Sequence, residues 1–251
     1  MGIYLLPREI GIYNICLKLA LMVSLSLTSL NMIFSPTLSG LFARREKKLV
    51  EKLYKTTTKW ILTISLIAFG ILILFSKPIL SIFGPAFING TNILILLVFG
   101  DLINSGVGSV GTILLMSGRS KLVLINTIGI TIVTGIFCLF LIPRYGMLGA
   151  ALSRTITVIL ANIVRLLEVH YYENIHPYKL SFIKPIMAFG ISFPVFFFGI
   201  RYFEPMSKLE FLLGVFLFLV LFSFLIWLFR LDSEDRYILK LIKNRIFSLK
   251  N

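Results

Sequence analysis

Residues 122–142, LVLINTIGITIVTGIFCLFLI, and residues 147–167, MLGAALSRTITVILANIVRLL, are two apolar runs of 21 residues joined by Pro143-Arg144-Tyr145-Gly146. Each has the roughly 20 residues that a helix needs to cross the hydrocarbon of a bilayer. Five further runs of the same kind lie at about 10–35, 58–76, 92–116, 181–201 and 209–229, which makes seven spans. The whole chain of 251 residues is 57% hydrophobic and 14% charged, with a mean hydropathy of +0.94, outside the range of soluble domains. Backbone groups in hydrocarbon must pair within the segment or within a closed barrel, and continuous apolar runs exclude the short alternating strands of a barrel. The fold class is therefore all-α, a polytopic transmembrane helix bundle forming a single domain over 1–251.

The 25 Lys and Arg residues are sorted between the two sides of this bundle. One side collects 18 of them: Arg44, Arg45, Lys47, Lys48, Lys52, Lys55 and Lys59, then Arg119, Lys121, Arg165, Lys179 and Lys184, and finally the basic tail from Arg230 to Lys250. The other side holds only Arg8, Lys77, Arg144, Arg201 and Lys208. The excess of cations near span ends marks the cytoplasmic side, so the amino end is expected outside and the tail over 231–251 inside, in a multi-pass plasma-membrane protein. The net charge of +14 is spread along segments that border anionic lipid headgroups, which speaks for lipid partners and against nucleic acid. An amino end outside without a cleavable leader suggests a chain that begins partway through a longer protein, or a partner helix on another polypeptide.

Enzyme chemistry finds no support. There is no nucleophile elbow, triad-like cluster or phosphate loop. Gly106, Gly108 and Gly111 spell the dinucleotide fingerprint, but they sit inside an apolar span with no preceding strand, so no cofactor is expected. His170, Glu173 and His176 match no zinc spacing and read as a solvated loop, and Cys16 and Cys138 read as small apolar residues within spans.

What singles out a function is the placement of polar residues inside the spans, where they are costly. At 100° per residue Asn14, Lys18, Ser24, Thr28, Asn31 and Ser35 share a face of roughly 140° on the first span. Asp101, Asn104, Ser105, Gly108, Gly111 and Thr112 share about 120° on the third, and Gly146, Ala150, Ser153, Arg154, Thr157 and Ala161 a comparable arc on the fifth. Two arrangements fit: faces that enclose a hydrated cavity, or small residues that let helices pack closely. Lys18, Asp101 and Arg154 favour the cavity, because an alanine would pack better than any of them. Asp101 is the one acid well inside a span; it pairs with Lys18 or Arg154, or takes a proton or sodium ion, and the structural pair is the safer expectation. The last two spans, apolar on every face, are expected at the periphery over 179–230, against lipid.

Several segments resemble an oligosaccharide-lipid flippase of the polysaccharide-export branch of the multidrug/oligosaccharidyl-lipid/polysaccharide exporter superfamily. The carriers are Glu9-Ile10-Gly11-Ile12-Tyr13-Asn14, Phe34-Ser35-Pro36, Ile82-Phe83-Gly84, Leu115-Met116-Ser117-Gly118-Arg119-Ser120-Lys121 and the stretch from Ile142 to Ala151. The resemblance runs over about 9–178 and implies the carboxyl-terminal lobe of a two-lobe exporter. It implies translocation of a polyprenyl-diphosphate-linked oligosaccharide for surface polysaccharide biosynthesis, with a second chain supplying the other lobe. It further implies that Lys18 and Arg154 meet the diphosphate, with Asn14, Asn31, Asp101, Asn104, Ser105, Ser153 and Thr157 as cavity candidates. The rival expectation is a truncated membrane remnant that transports nothing.

Overall fold

The computed structural model describes residues 4–200 and 208–229. The tail over 231–251 and the cations Arg201 and Arg230 lie outside the described residues. Among those described, every regular element is helical: α1 (Pro7–Ala43), α2 (Lys47–Leu74), α3 (Ser76–Ser81), a 3-10 turn (Pro85–Gly90), α4 (Thr91–Val107), α5 (Val110–Met116), α6 (Ser120–Glu173), α7 (Ile183–Ile200) and α8 (Lys208–Leu228). Six helical segments are long and apolar enough to cross a membrane, and the chain is an all-α polytopic bundle.

One of the six crosses twice. Straight, the 54 residues of α6 would reach roughly 80 Å, far beyond a hydrocarbon core of about 30 Å. Its one non-helical residue is Gly146, at φ 58° and ψ −132°, and there the chain reverses. The Asn126 amide donates to Glu168 at 2.5 Å and Arg119 Nε to Glu173 at 3.0 Å. Each of these pairs is nearly centred on the turn, as only an antiparallel hairpin allows. Its two arms, 120–145 and 147–173, are the two runs that opened the sequence reading, and they bring the total to about seven crossings. At the crossing point a Cβ on Gly149 would stand 2.1 Å from the carbonyl oxygen of Leu141, so backbone meets backbone with no room for a side chain.

Two boundaries differ from expectation. The run 92–116 is not one helix but α4 and α5, broken at Gly108 (φ 74°, ψ −146°). A Cβ there would lie 2.1 Å from Thr58 Oγ1, and Tyr54 donates its hydroxyl to the Val107 carbonyl at 3.0 Å, which satisfies an acceptor that the break leaves unpaired. The first span does not stop at Phe34-Ser35-Pro36. α1 continues through Pro36 to Ala43, and Ser35 Oγ donates to the Asn31 carbonyl one turn back, beside the position where proline removes a donor.

The helices alternate in direction. Cys16 Sγ reaches the Gly90 carbonyl at one end of the bundle, whereas His176 meets Glu51 and Arg119 meets Glu173 at the other. The second end gathers the cation-rich connections and is called the basic end below. Burial there raises the Tyr178 phenol above its ordinary pKa. α1, α2, α4 and the arm 147–173 share the largest apolar core, around Cys16, Ala20, Val23, Leu94, Leu97 and Ala151. α7 and α8 attach to the side of α2, where Phe218 and Phe222 are buried against it while Phe198, Phe216 and Trp227 stay exposed. They are the peripheral apolar helices expected over 179–230.

Because the hairpin depends on backbone contact at Gly149, a Gly149→Val substitution should cost about 3 kcal/mol, at the upper end for overpacking. Thermal unfolding in detergent, compared with Gly129→Val at an open site, measures the difference; equal midpoints would refute the hairpin contact.

Candidate functional site

α1, α4 and the arm 147–173 meet along a polar seam in the interior of the bundle. Its centre is Asp101, 2% exposed on α4. Arg154 Nη2 lies 3.0 Å from one carboxylate oxygen of Asp101 and 3.1 Å from the other. Ser24 Oγ donates to the same carboxylate at 3.3 Å. Of the partners weighed from sequence, Arg154 is the one Asp101 takes. Tyr13, buried on α1 about 20° from the direction of Ser24, stands within electrostatic reach of the pair. Arg154 retains 21% of its side-chain exposure, and its Nη1 is buried without a partner.

The seam continues toward the basic end. Asn162, 2% exposed, donates Nδ2 to Asn104 Oδ1 at 3.0 Å, joining the arm to α4 one turn beyond Asp101. Ser105 Oγ donates to the Val23 carbonyl at 3.4 Å, joining α4 to α1. α2 is held to α1 by a similar contact: Ser65 donates to the Val23 carbonyl at 2.7 Å and meets Ser26 Oγ at 2.8 Å. Each such interhelical bond contributes about 0.6 kcal/mol in a membrane, whereas stripping a buried ion pair of one partner costs about 3–5 kcal/mol. The Asp101–Arg154 pair therefore outweighs the rest of the seam.

The candidates of the sequence reading fall into two groups. Asp101, Arg154, Asn104, Ser105, Ser153 and Thr157 lie in the seam or beside it. Ser153 and Thr157 turn back on their own helix, donating to the Gly149 and Ser153 carbonyls at 2.8 Å each. Asn31 borders the seam with a buried, unpartnered Oδ1. Asn14 and Lys18 are elsewhere, exposed on the face of α1 turned away from its buried residues, in company with Leu21, Leu25 and Met32. Lys18 stands about 140° around the helix from Tyr13, so it and Arg154 do not meet. It makes no hydrogen bond or ion pair among the described residues.

Ser24 and Ser105 thus bridge helices, the second of the two arrangements weighed from sequence, whereas Ser153 and Thr157 are satisfied within their own helix. A crevice of about 390 Å³ does open beside α4, but its walls are apolar, with Ile95, Leu96 and Phe99 facing Leu148 and Leu152 on the side away from Asp101. The would-be metal trio also separates: Glu173 binds Arg119, and His176 Nδ1 sits 3.4 Å from Glu51. Sequence reasoning overlooked Asn162 and the buried, unpartnered Nε of Arg165. Asn162 was within reach, since eight residues past Arg154 is about 80° around the helix.

The chain matches no protein-family model, no curated protein and no solved structure.

Neutralising one member of the pair should hurt more than neutralising both. Arg154→Gln and Asp101→Asn singly should each cost about 3 kcal/mol or more, and the double variant clearly less than their sum, with a coupling of at least about 1 kcal/mol. Additive losses in a chemical-unfolding double-mutant cycle would show that the two groups do not interact.

Proposed function

We propose that this chain is half of a flippase that carries a polyprenyl-diphosphate-linked oligosaccharide across the plasma membrane for surface polysaccharide biosynthesis, with its basic end in the cytoplasm. The observation that carries the reading is the exposed face of α1. Asn14, Lys18 and Thr28 stand on it at span depth, and Lys18 has no counter-charge among the described residues. Such a face against lipid tails is expensive; bordering a hydrated passage completed by a second lobe, it is not. A passage of that kind suits an anionic, hydroxyl-rich cargo, since ammonium and amide donors match phosphate and sugar oxygens. The seam behind α1 supports the reading in a different way. It welds α1, α4 and the arm 147–173 into one rigid unit, and alternating access needs such units to rock against each other. Arg154, its charge met by Asp101, keeps an orphaned Nη1 donor behind the passage. The segments quoted in the sequence analysis favour the same assignment by resemblance.

The second reading is a subunit or remnant that packs but transports nothing. The buried hydroxyl contacts favour it, since Ser24 and Ser105 spend their donors between helices and Ser153 and Thr157 spend theirs on their own backbone, which leaves none of the four free for a cargo.

Complementation separates the two. Co-expressed with a partner supplying the other lobe in a flippase-deficient strain, Lys18→Gln in an Asp101→Asn/Arg154→Gln background should reduce surface polysaccharide at least about tenfold, the factor that one lost charge-assisted contact commands. Lys18→Arg should preserve it. Unchanged polysaccharide with the triple variant, at equal membrane abundance, would eliminate the flippase assignment.

A further inference from the structure

Arg165 follows Arg154 by eleven residues, which places it about 20° around the helix and roughly 16 Å nearer the basic end. The two guanidinium groups thus share one stripe of the arm 147–173. Arg165 is half-buried, and its Nε is buried without a partner. Among the described residues, the acids that follow it on the same arm make other contacts. Glu168, one turn on, accepts from Asn126, and Glu173 is held by Arg119, whose guanidinium also lies 4.2 Å from the ring centre of Tyr172. Arg165 makes no direct ion pair among the described residues, and its Nε donor stays unmet.

A half-buried cation in that position is costly unless an anion meets it. At this depth, about 28 Å from the turn at Gly146, the anions at hand are lipid phosphates of the leaflet at the basic end. The planar fork of a guanidinium fits phosphate oxygens with two donors at once. On the facing helix, Asn31 shares the direction of Ser24 to within about 20° and carries a buried, unpartnered oxygen. The orphaned Nη1 of Arg154 and Nε of Arg165 on the arm and the orphaned Oδ1 of Asn31 on α1 all lack partners that a hydroxylated phosphate ligand possesses.

We propose that Arg165 is a phosphate-binding station at the basic end of the seam, the first contact for the phosphate of a membrane lipid, with Arg154 further along the same stripe. The chemistry of the station stands on its own; that its ligand is the cargo rather than bulk lipid rests on the flippase reading.

The test uses the full chain in phosphatidylcholine nanodiscs, titrated with a long-chain polyprenyl diphosphate or with phosphatidylglycerol and read by native mass spectrometry. Arg165→Gln should weaken polyprenyl diphosphate binding about tenfold, Arg165→Lys less, and Arg144→Gln at the opposite end not at all. Phosphatidylglycerol binding unchanged by Arg165→Gln supports a cargo station. An equal loss for both lipids supports the phosphate site but overturns the cargo assignment. No loss for either lipid overturns the station, and it would leave the flippase reading standing as long as the Lys18 triple variant still lowers surface polysaccharide.

Discussion

A carboxylate and a guanidinium drawn together in hydrocarbon hold this bundle in register. Neither Asp101 nor Arg154 is tolerable there alone, so α4 and the arm 147–173 must pack in the one arrangement that brings their side chains within 3.0 Å. Ser24 adds α1 to the same point, Ser105 and Asn162 extend the contact toward the basic end, and Ser65 brings in α2. Apolar packing alone discriminates poorly between helix rotations in a solvent as apolar as the side chains. The polar seam supplies that discrimination, because rotating any of the three helices strands a buried donor or charge.

Glycine governs the second constraint, the close approach of backbones. At Gly149 the arms of the α6 hairpin touch through main-chain atoms, and at Gly108 the broken α4–α5 span makes room for Thr58 while Tyr54 repairs the exposed carbonyl. Both features lie beside the seam, so the rigid unit that carries Arg154 is anchored at its turn and along α4. The arm 120–145 contrasts with it. Leu124, Ile125, Ile128, Leu139 and Phe140 are all about half exposed or more, and its firm polar attachments are Asn126–Glu168 and Arg119–Glu173 near the basic end. The arm 147–173 carries the buried polar contacts and the arm 120–145 turns its apolar side chains outward.

Much of this was legible in the residues. Run length against bilayer thickness yields the spans, including the two crossings within α6, and the sorting of cations matches the end at which Glu51, His176, Arg119 and Glu173 gather. A pair between Asp101 and one of the two span cations, Lys18 or Arg154, was legible as a charge balance inside hydrocarbon. Three things were not. The break at Gly108 is hidden because the run 92–116 has the length of a single span and also holds Gly100, Gly106 and Gly111, so nothing in the residues marks which glycine interrupts the helix. The continuation of α1 past Pro36 depends on Ser35 bonding back to the preceding turn, a contact that composition does not reveal. Helical angles gave the polar arc of α1 but not what stands opposite it, so Ser24 and Lys18 looked like neighbours on one lining although one is packed against α4 and the other is exposed.

The central claim is that Asp101 and Arg154 touch inside the membrane and fix how α4 meets the arm 147–173. Solid-state NMR on the full chain in lipid bilayers, with ¹³C at the Asp101 carboxyl and ¹⁵N in the Arg154 guanidinium, measures that contact directly. The account predicts strong dipolar dephasing between the labels, as the N–O separation of 3.0 Å requires. A pair of labels that show no dephasing in a folded sample would contradict it, and the seam, the register it sets and the rigid unit built on it would fall together.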